Sequence, residues 1–404
     1  MTFFHPKVLQ KIGASLLFIF IYVLASKLPL PFVDVSKSLA LGGVTQGLQL
    51  TAAITGGNLR AMSFISVGLS PWMSSMLLWR MFDVSEKGWI KQKGSDTQAR
   101  WQMYLTLIIS LIQSLAISLN LSYQTGIDQG MAMLLATVLL VAGTFFLIWL
   151  VDLNSIFGIG GSLTIMMVSM LLYLPLDISQ TMEKLQWGWE FILALGVIGL
   201  VMLYIAVFIE RSKYRVPVQK VMIQNVLRDY TFIDLKLNPA GGLPFMYAMT
   251  IVQIPVYSLL AAKLFFPRRV WIDKAIQTLG MGQPLWFLLY AITILILAFA
   301  FAYINVDARK IAKNMQRSGE FIDHVYPGQT TYDYLTNLLK HLAPVGALYL
   351  LFFAVAPMSM VLYDADLLRL SMIPGIFLIF FGMVFVVQDE VAALTVNENY
   401  TRIL

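Results

Sequence analysis

Cysteine is absent from the 404-residue sequence, and histidine occurs only three times. Without cysteine the chain has no disulfide bonds and no thiolate metal sites. Three histidines, His5, His324 and His341, are too few to predict a histidine-based metal site. Charged residues make up 12% of the chain, roughly half of their share in an ordinary soluble domain. The sequence therefore predicts neither a metal centre nor a water-soluble fold.

Hydrophobic residues make up 58% of the chain, and the mean hydropathy is +0.75. Values this high are typical of a protein whose solvent is lipid. The net charge of +6 then reflects Lys and Arg on the cytoplasmic side of a membrane rather than nucleic-acid binding. The first apolar run, 12–28, is long enough to span and has no small-residue cleavage site, so we expect it to be a membrane anchor.

Apolar stretches of about 20 residues, the length of a helix that crosses the hydrocarbon core, recur along the chain. They predict an all-α polytopic membrane protein with ten transmembrane helices. The predicted spans are 12–28, 60–82, 101–123, 131–151, 158–174, 189–209, 241–264, 284–304, 338–362 and 370–388.

Lys and Arg are concentrated in alternate connections between these spans. The positive-inside rule places those connections, and both termini, on the cytoplasmic side of the cell membrane. Five spans fall within 1–182 and five within 183–404, so the second half is predicted to be inverted relative to the first. Such a pair is compatible with a central pathway between the halves.

The connection between the first two spans, 34–57, is too rich in Gly, Ser and Thr to cross the membrane and too apolar for a free loop. Non-helical backbone at membrane depth persists only where it is buried in protein or lines a cavity. The segment therefore suggests a re-entrant element over a pore. An outer loop with a short amphipathic helix is the alternative. Its apolar residues include Leu39, Leu41, Leu48 and Leu50.

Two basic connections on the predicted cytoplasmic side, 210–239 and 305–340, exceed the usual length of a connection between helices. Their length favours a binding role. Attraction to lipid headgroups and a role in membrane topology are the alternative.

Ionisable residues are nearly absent from the interiors of the predicted spans. Asp152, Asp307, Asp389 and Glu390 fall at predicted cytoplasmic helix ends, where we expect solvated charges. The sequence has no HExxH pair, no nucleophile elbow and no Walker loop. It therefore predicts a protein that is not an enzyme and holds no cofactor.

Leucine and methionine recur on spans that contain Pro71 or Pro244 or follow glycine. Methionine side chains adapt to varied neighbours, and an apolar constriction excludes ions by dewetting. Ordinary packing against lipid or other helices is the alternative for each residue. The candidate pore-lining residues are Leu69, Met73, Met166, Met170, Leu243 and Met246.

Five stretches, in order along the chain, resemble the SecY family of protein-conducting channels. The likeness is carried by GLSPWMSS at 68–75, FGIGGSL at 157–163, YRVPVQ at 214–219, LKLNPAGGLP at 235–244, and GEFI with PGQTT within 319–331. The resemblance implies two inverted five-helix halves around an hourglass pore, with a lateral gate. It also implies a plug within 36–57 and a pore ring formed by the six candidate residues together with Met383.

The family resemblance implies partners as well: a SecA-type motor ATPase, small SecE- and SecG-like membrane subunits, an unfolded preprotein substrate and membrane lipids, with no nucleic acid. The motor is expected on the two long basic connections. The predicted docking residues are Arg211, Lys213, Arg215, Lys220, Arg309, Lys310 and Tyr326.

Some positions depart from the family pattern. Tyr326 replaces an arginine, Asp323 and His324 replace a Pro-Gly pair, and a double arginine before Pro217 is reduced to Arg215. These changes resemble the accessory branch of the family in some Gram-positive bacteria. That likeness implies a dedicated motor and a few glycosylated surface proteins as clients.

Three other functions remain open at the level of sequence. A secondary transporter would also show inverted halves and broken helices, but such proteins use buried charges that the spans lack. An intramembrane enzyme would need a catalytic constellation. A noncatalytic assembly scaffold is the third alternative.

Overall fold

The computed structural model describes residues 6–34, 52, 55–57, 59, 62–83, 94–124, 128–185, 189–220, 232–265, 269–362 and 367–401. Within these ranges the chain forms α-helices and one small β-sheet. The helices are α1 (Pro6–Lys27), α2 (Ser70–Asp83), α3 (Ser95–Leu119), α4 (Gln129–Phe157), α5 (Gly161–Leu185), α6 (Trp189–Arg211), α7 (Leu243–Phe265), α8 (Val270–Thr278), α9 (Pro284–Asn305), α10 (Ala308–Ser318), α11 (Gln329–Ala354), α12 (Leu368–Ser371) and α13 (Ile373–Thr401). The strands are β1 (Lys213–Lys220), β2 (Phe232–Lys236) and β3 (Glu320–Ile322).

Seven helices in the described part of the chain are long and apolar enough to cross a membrane. They are α1, α3, α4, α7, α9, α11 and α13. Each of the other three predicted spans also coincides with a helix, namely α2, α5 and α6. The chain is therefore a multi-pass helical membrane protein.

The predicted start of the second span is wrong by ten residues. Helix α2 begins at Ser70, and the residues from Met62 to Leu69 form turns instead. Pro71 lies in the first turn of the helix, where its missing N–H breaks no bond. Gly68 has a φ of +70°, which ends any helix coming from the preceding residues.

The eleventh helix also differs from its prediction. The predicted span began at 338, but α11 begins at Gln329, directly after Gly328, whose φ is +110°. The connection predicted over 305–340 therefore contains α10, β3 and the first turns of α11.

Helices α2, α3 and α4 pack side by side, as do α7, α9 and α11. Helix α5 packs against α4 and extends the first group, and α13 packs against α7 and α11 and extends the second. The two groups meet along two seams. In one seam α2 and α3 pack against α7, and in the other α5 packs against α13. The largest apolar cluster draws residues from both groups, so the core of the protein lies between them.

The sheet has the order β2-β1-β3 with antiparallel pairing, and the sequence analysis did not predict it. Arg215 pairs with Asp234 across β1 and β2, and Val218 pairs with Ile322 across β1 and β3. Strand β1 therefore joins the two long basic connections into one layer. We call the face of the protein that carries this layer the sheet side.

Candidate functional site

The seven residues of the predicted pore ring come from four separate parts of the chain. Leu69 precedes α2 and Met73 lies on it, Met166 and Met170 lie on α5, Leu243 and Met246 lie on α7, and Met383 lies on α13. Six of them are at most 3% exposed and belong to one apolar cluster, and Leu243 packs against that cluster. The fold thus brings all seven into the same region.

A tight turn at Thr55–Gly57 lies directly on this region. The Leu69 N–H donates to the Thr55 carbonyl oxygen at 2.8 Å, and the Tyr22 hydroxyl donates to the Gly56 carbonyl oxygen at 3.0 Å. Gly57 faces the backbone of Ser66 so closely that no side chain fits. Of the predicted plug only Ala52 and residues 55–57 are described; Leu39, Leu41, Leu48 and Leu50 lie outside the described residues.

A cavity of about 420 Å³ connects the sheet with the predicted pore ring. It is lined by Asp234 and Lys236 of the β2 strand and by Leu243 and Met383 of the ring. The cavity walls are polar near the sheet and apolar near the pore ring, so an extended chain segment could enter from the sheet side.

Glu210, near the end of α6, also lines this cavity and is only 5% exposed. The Asn238 amide donates to its Oε1 at 2.9 Å. Burial raises the pKa of the Glu210 carboxyl, while the Asn238 hydrogen bond and the nearby charge of Lys236 lower it. Sequence reasoning missed this contact, because neither residue stands out without the other.

Asn305, the last residue of α9, fixes the same part of the chain. Its amide donates to the carbonyl oxygens of Pro239 and Ala240 at 3.1 and 3.2 Å. Since these residues directly precede α7, the ends of α6 and α9 together position the start of α7.

The connection between α4 and α5 is fixed by three helices. The Ser15 hydroxyl donates to Asn154 Oδ1 at 2.9 Å, and Asn154 Nδ2 donates to the carbonyl oxygen of Gly161 at 2.9 Å. The Gly160 N–H donates to Glu390 Oε2 on α13 at 3.0 Å. The prediction that Glu390 is simply a solvated charge is therefore wrong, because its carboxylate ties α13 to this connection.

Asp307 also has a structural role, since its side chain accepts from the Lys310 N–H at 3.0 Å and caps α10. Asp152 and Asp389 are exposed, as expected of solvated charges. Within the described ranges, no three His, Cys, Asp or Glu residues are grouped to hold a metal ion.

Helix α3, which packs against α2, α4 and α7, carries many buried polar side chains, and α7 carries two more. On α3 they share one face, and they are Thr106, Ser110, Gln113, Ser114 and Ser118. Thr250 and Gln253 of α7 are also buried. Both polar atoms of Gln113 and the hydroxyls of Ser110 and Ser114 have no hydrogen-bond partner among the described residues. Unpaired buried polar atoms weaken the packing of α3 against its neighbours.

The predicted docking residues lie on the sheet side. Lys213 Nζ and Arg215 Nε lie 3.3 and 3.6 Å from the Asp234 carboxylate. Arg309 stacks over the Tyr332 ring with its guanidinium carbon 5.4 Å from the ring centroid. Tyr326 is 82% exposed.

Arg211 is engaged within the protein. The Arg211 guanidinium donates to Gln388 Oε1 at 3.3 Å and lies 5.1 Å from the Phe385 ring centroid, so it is engaged with α13. Lys310 is exposed on α10. Lys220 ends β1, and its side chain lies outside the described set. The sheet joins both basic connections into one surface.

Comparison with known proteins identifies a family. A SecY family model matches residues 63–391. The accessory Sec system protein translocase subunit SecY2 of Streptococcus sanguinis (strain SK36) is 50% identical and covers 100% of both chains. The protein of the same name from Streptococcus gordonii is 49% identical and covers 99% of this chain and 98% of its own.

A solved structure of a protein-conducting channel has the same fold. It matches with a TM-score of 0.72 over 96% of this chain and 93% of that chain, at 14% sequence identity. The helix arrangement described above is therefore that of a known channel architecture.

Proposed function

The chain belongs to the SecY family, and on that premise we propose that it is the central channel subunit of an accessory Sec-type preprotein translocase. It passes unfolded polypeptides across the membrane and laterally into it. The clients are specific, often glycosylated, surface proteins. The family match over 63–391 and the full-length identity to accessory Sec relatives support this function.

The observation that carries the proposal is the convergence of α2, α5, α7 and α13 on one apolar constriction. Its leucine and methionine side chains lie below a cavity that reaches the sheet side. Flexible apolar side chains can close around an extended chain of any sequence and exclude ions when it is absent. The predicted pore ring therefore closes the channel to ions at rest, and it is also the place through which a client passes.

The channel itself is passive, and the driving force comes from a SecA-type ATPase that docks on the sheet side. The exposed cations of β1 and α10, with the exposed ring of Tyr326, provide a charged surface with an aromatic centre. Small SecE- and SecG-like subunits and lipid cover the exposed apolar faces of the spanning helices.

The protein lies in the cell membrane with both termini in the cytoplasm, and the sheet side faces the cytoplasm. Its basic connections support this orientation. The chain is organised as an N-terminal half, 1–182, and an inverted C-terminal half, 183–404, with the lateral gate between them.

Photo-crosslinking during export tests the channel. A photoreactive residue at Leu69 or Met246 is expected to crosslink a client in transit, whereas one at Val138, which is 64% exposed on α4, is expected to crosslink lipid. Equal client crosslinking at all three positions, or none at Leu69 and Met246, would contradict a central passage. A scaffold or an intramembrane enzyme predicts none.

Charge reversal tests the docking surface. Replacing Arg215, Arg309 and Lys310 by Glu is expected to abolish motor binding at low salt, since long-range attraction dominates there. Lys274→Glu on α8, far along the chain from the sheet, is the matched control. Motor binding that is unchanged in the triple variant would contradict the proposed docking site.

Ion flux distinguishes the channel from a secondary transporter. Within the described residues Glu210 is the one charged residue below 9% exposure, and it lies at a helix end rather than at mid-span. A transporter would show substrate-dependent proton or sodium flux in liposomes. We expect none.

A further inference from the structure

We infer that Glu210 is a positioning residue that holds the turn before α7 through Asn238 and thereby sets the resting position of Leu243 and Met246. This role goes beyond the overall fold, because it belongs to one contact between the end of α6 and the turn before α7. Its effect on function depends on the proposed pore ring.

The position of Glu210 is unfavourable unless its carboxylate has a specific task. It is buried, and removing a carboxylate from water costs several kcal/mol without good partners. It also lies at the C-terminal end of α6, where the helix dipole disfavours negative charge. The 2.9 Å hydrogen bond from Asn238, together with nearby Lys236, offsets part of these costs.

Asn238 in turn organises the backbone that leads into α7. Its carbonyl oxygen accepts from the Gly241 N–H at 3.2 Å, and Gly241 has a φ of +67°. Asn238 also packs on Gly346 of α11, where a Cβ atom would lie 2.7 Å from its Oδ1. The turn is therefore held between α6 and α11, and a change at Glu210 moves it as a unit.

The turn is short, so β2 and α7 are closely connected along the chain. Strand β2 ends at Lys236, two residues before Asn238, and α7 begins at Leu243. A partner that binds the β1 and β2 strands is therefore connected to the pore ring through six residues. The Glu210 contact fixes the middle of that connection.

A disulfide reporter measures the position of this turn directly. The chain has no cysteine, so an introduced pair is unique. A Cβ at Gly382 of α13 would lie 3.9 Å from the Gly242 Cα, so the two backbones are neighbours and a cysteine at each position reports on their separation. The test is Gly242→Cys with Gly382→Cys in membranes under mild oxidation, without motor or client.

In the otherwise unchanged protein we expect rapid disulfide formation. Glu210→Ala is expected to slow it by about fivefold or more, because the loss leaves the Asn238 amide buried and unpaired. Glu210→Gln is expected to restore most of the rate, since its amide oxygen still accepts from Asn238. Asp152→Ala, which removes an exposed acid near the end of α4, is the matched control and leaves the rate unchanged.

An unchanged rate in Glu210→Ala, or an equal loss in Glu210→Ala and Glu210→Gln, would overturn the inference. If Glu210→Ala does not fold, Glu210→Asp takes its place, because its shorter side chain cannot keep the 2.9 Å contact without moving the turn. Ion permeability of proteoliposomes separates the two proposals. A slower disulfide without any added leak supports the positioning and contradicts a seal at the pore ring.

Discussion

At the scale of single residues, Gly143 sets the distance between α4 and the turns that precede α2. A Cβ atom at this position would overlap the carbonyl group of Phe64. The absence of a side chain therefore lets the backbone of these turns lie directly on α4. Because the same turns end at Leu69, the contact also helps to place the first residue of the predicted pore ring.

Gly143→Ala is expected to destabilise the protein by about 1–3 kcal/mol, since the added methyl group forces backbone apart in a packed core. Thermal unfolding in detergent measures this loss of stability. Gly196→Ala on α6 is the control, because nothing lies within 4 Å of its Cβ position. There the better helix propensity of alanine stabilises by up to about 1 kcal/mol. The same midpoint for both variants would contradict the close contact.

The Glu390 hydrogen bond leads to a second prediction about stability. Glu390→Ala removes the acceptor for the Gly160 N–H and is expected to lower stability by about 1 kcal/mol, a modest value because the carboxylate is partly exposed. Asp389→Ala, its exposed neighbour, is the control and should unfold at the parent temperature. An equal loss of stability in both variants would show that the lost negative charge, and not the Gly160 hydrogen bond, causes the effect.

At the scale of elements, helix α3 carries a buried polar face among α2, α4 and α7. Gln113 is 1% exposed, and both of its polar atoms lack a partner within the described chain. An unpaired buried amide destabilises the closed arrangement by about 1–3 kcal/mol. We therefore expect the contacts of α3, including its seam with α7, to separate more easily than fully apolar contacts.

Gln113→Leu is expected to raise the unfolding midpoint and to slow client export, because an apolar side chain stabilises the closed seam. Export rate in vesicles and thermal unfolding in detergent are the two measurements. Gln277→Leu, an exposed position on α8, controls for the chemical change. A lower midpoint with faster export would show that the seam is stabilised by Gln113.

The sequence predicted the spanning helices well because twenty apolar residues form a strong local signal. Contacts between residues that are far apart in the sequence were not predicted. Val218 and Ile322 meet across the sheet although 104 residues separate them, and nothing local indicates that. The Glu210 contact with Asn238 was missed for the same reason, whereas Leu69 and Met246 were found through motif likeness and do share one cluster.

At the scale of the whole molecule, two seams connect the two groups of helices, and they differ in chemistry. The seam of α3 and α7 holds unpaired polar groups. The seam of α5 and α13 is tied by the Gly160 and Glu390 hydrogen bond. From this difference we expect the two groups to open along the first seam, with the second seam as the pivot.

The seal is a property of the whole ring rather than of one residue. Replacing Leu69, Met73 and Met246 together by Gly is expected to make proteoliposomes leak salt in the absence of a client, since the gap can hold water. Replacing the same residues by Ile keeps the constriction apolar and closed. Ion permeability measures both, and a tight triple-glycine variant would contradict a seal at this level.

Strand β1 lies in the middle of the sheet, with a neighbour on each edge. One neighbour leads into α7, and the other lies between α10 and α11. We therefore expect a force on either basic connection to be transmitted through the sheet to both of them. A partner that pulls on β1 would then move α7 and α11 together.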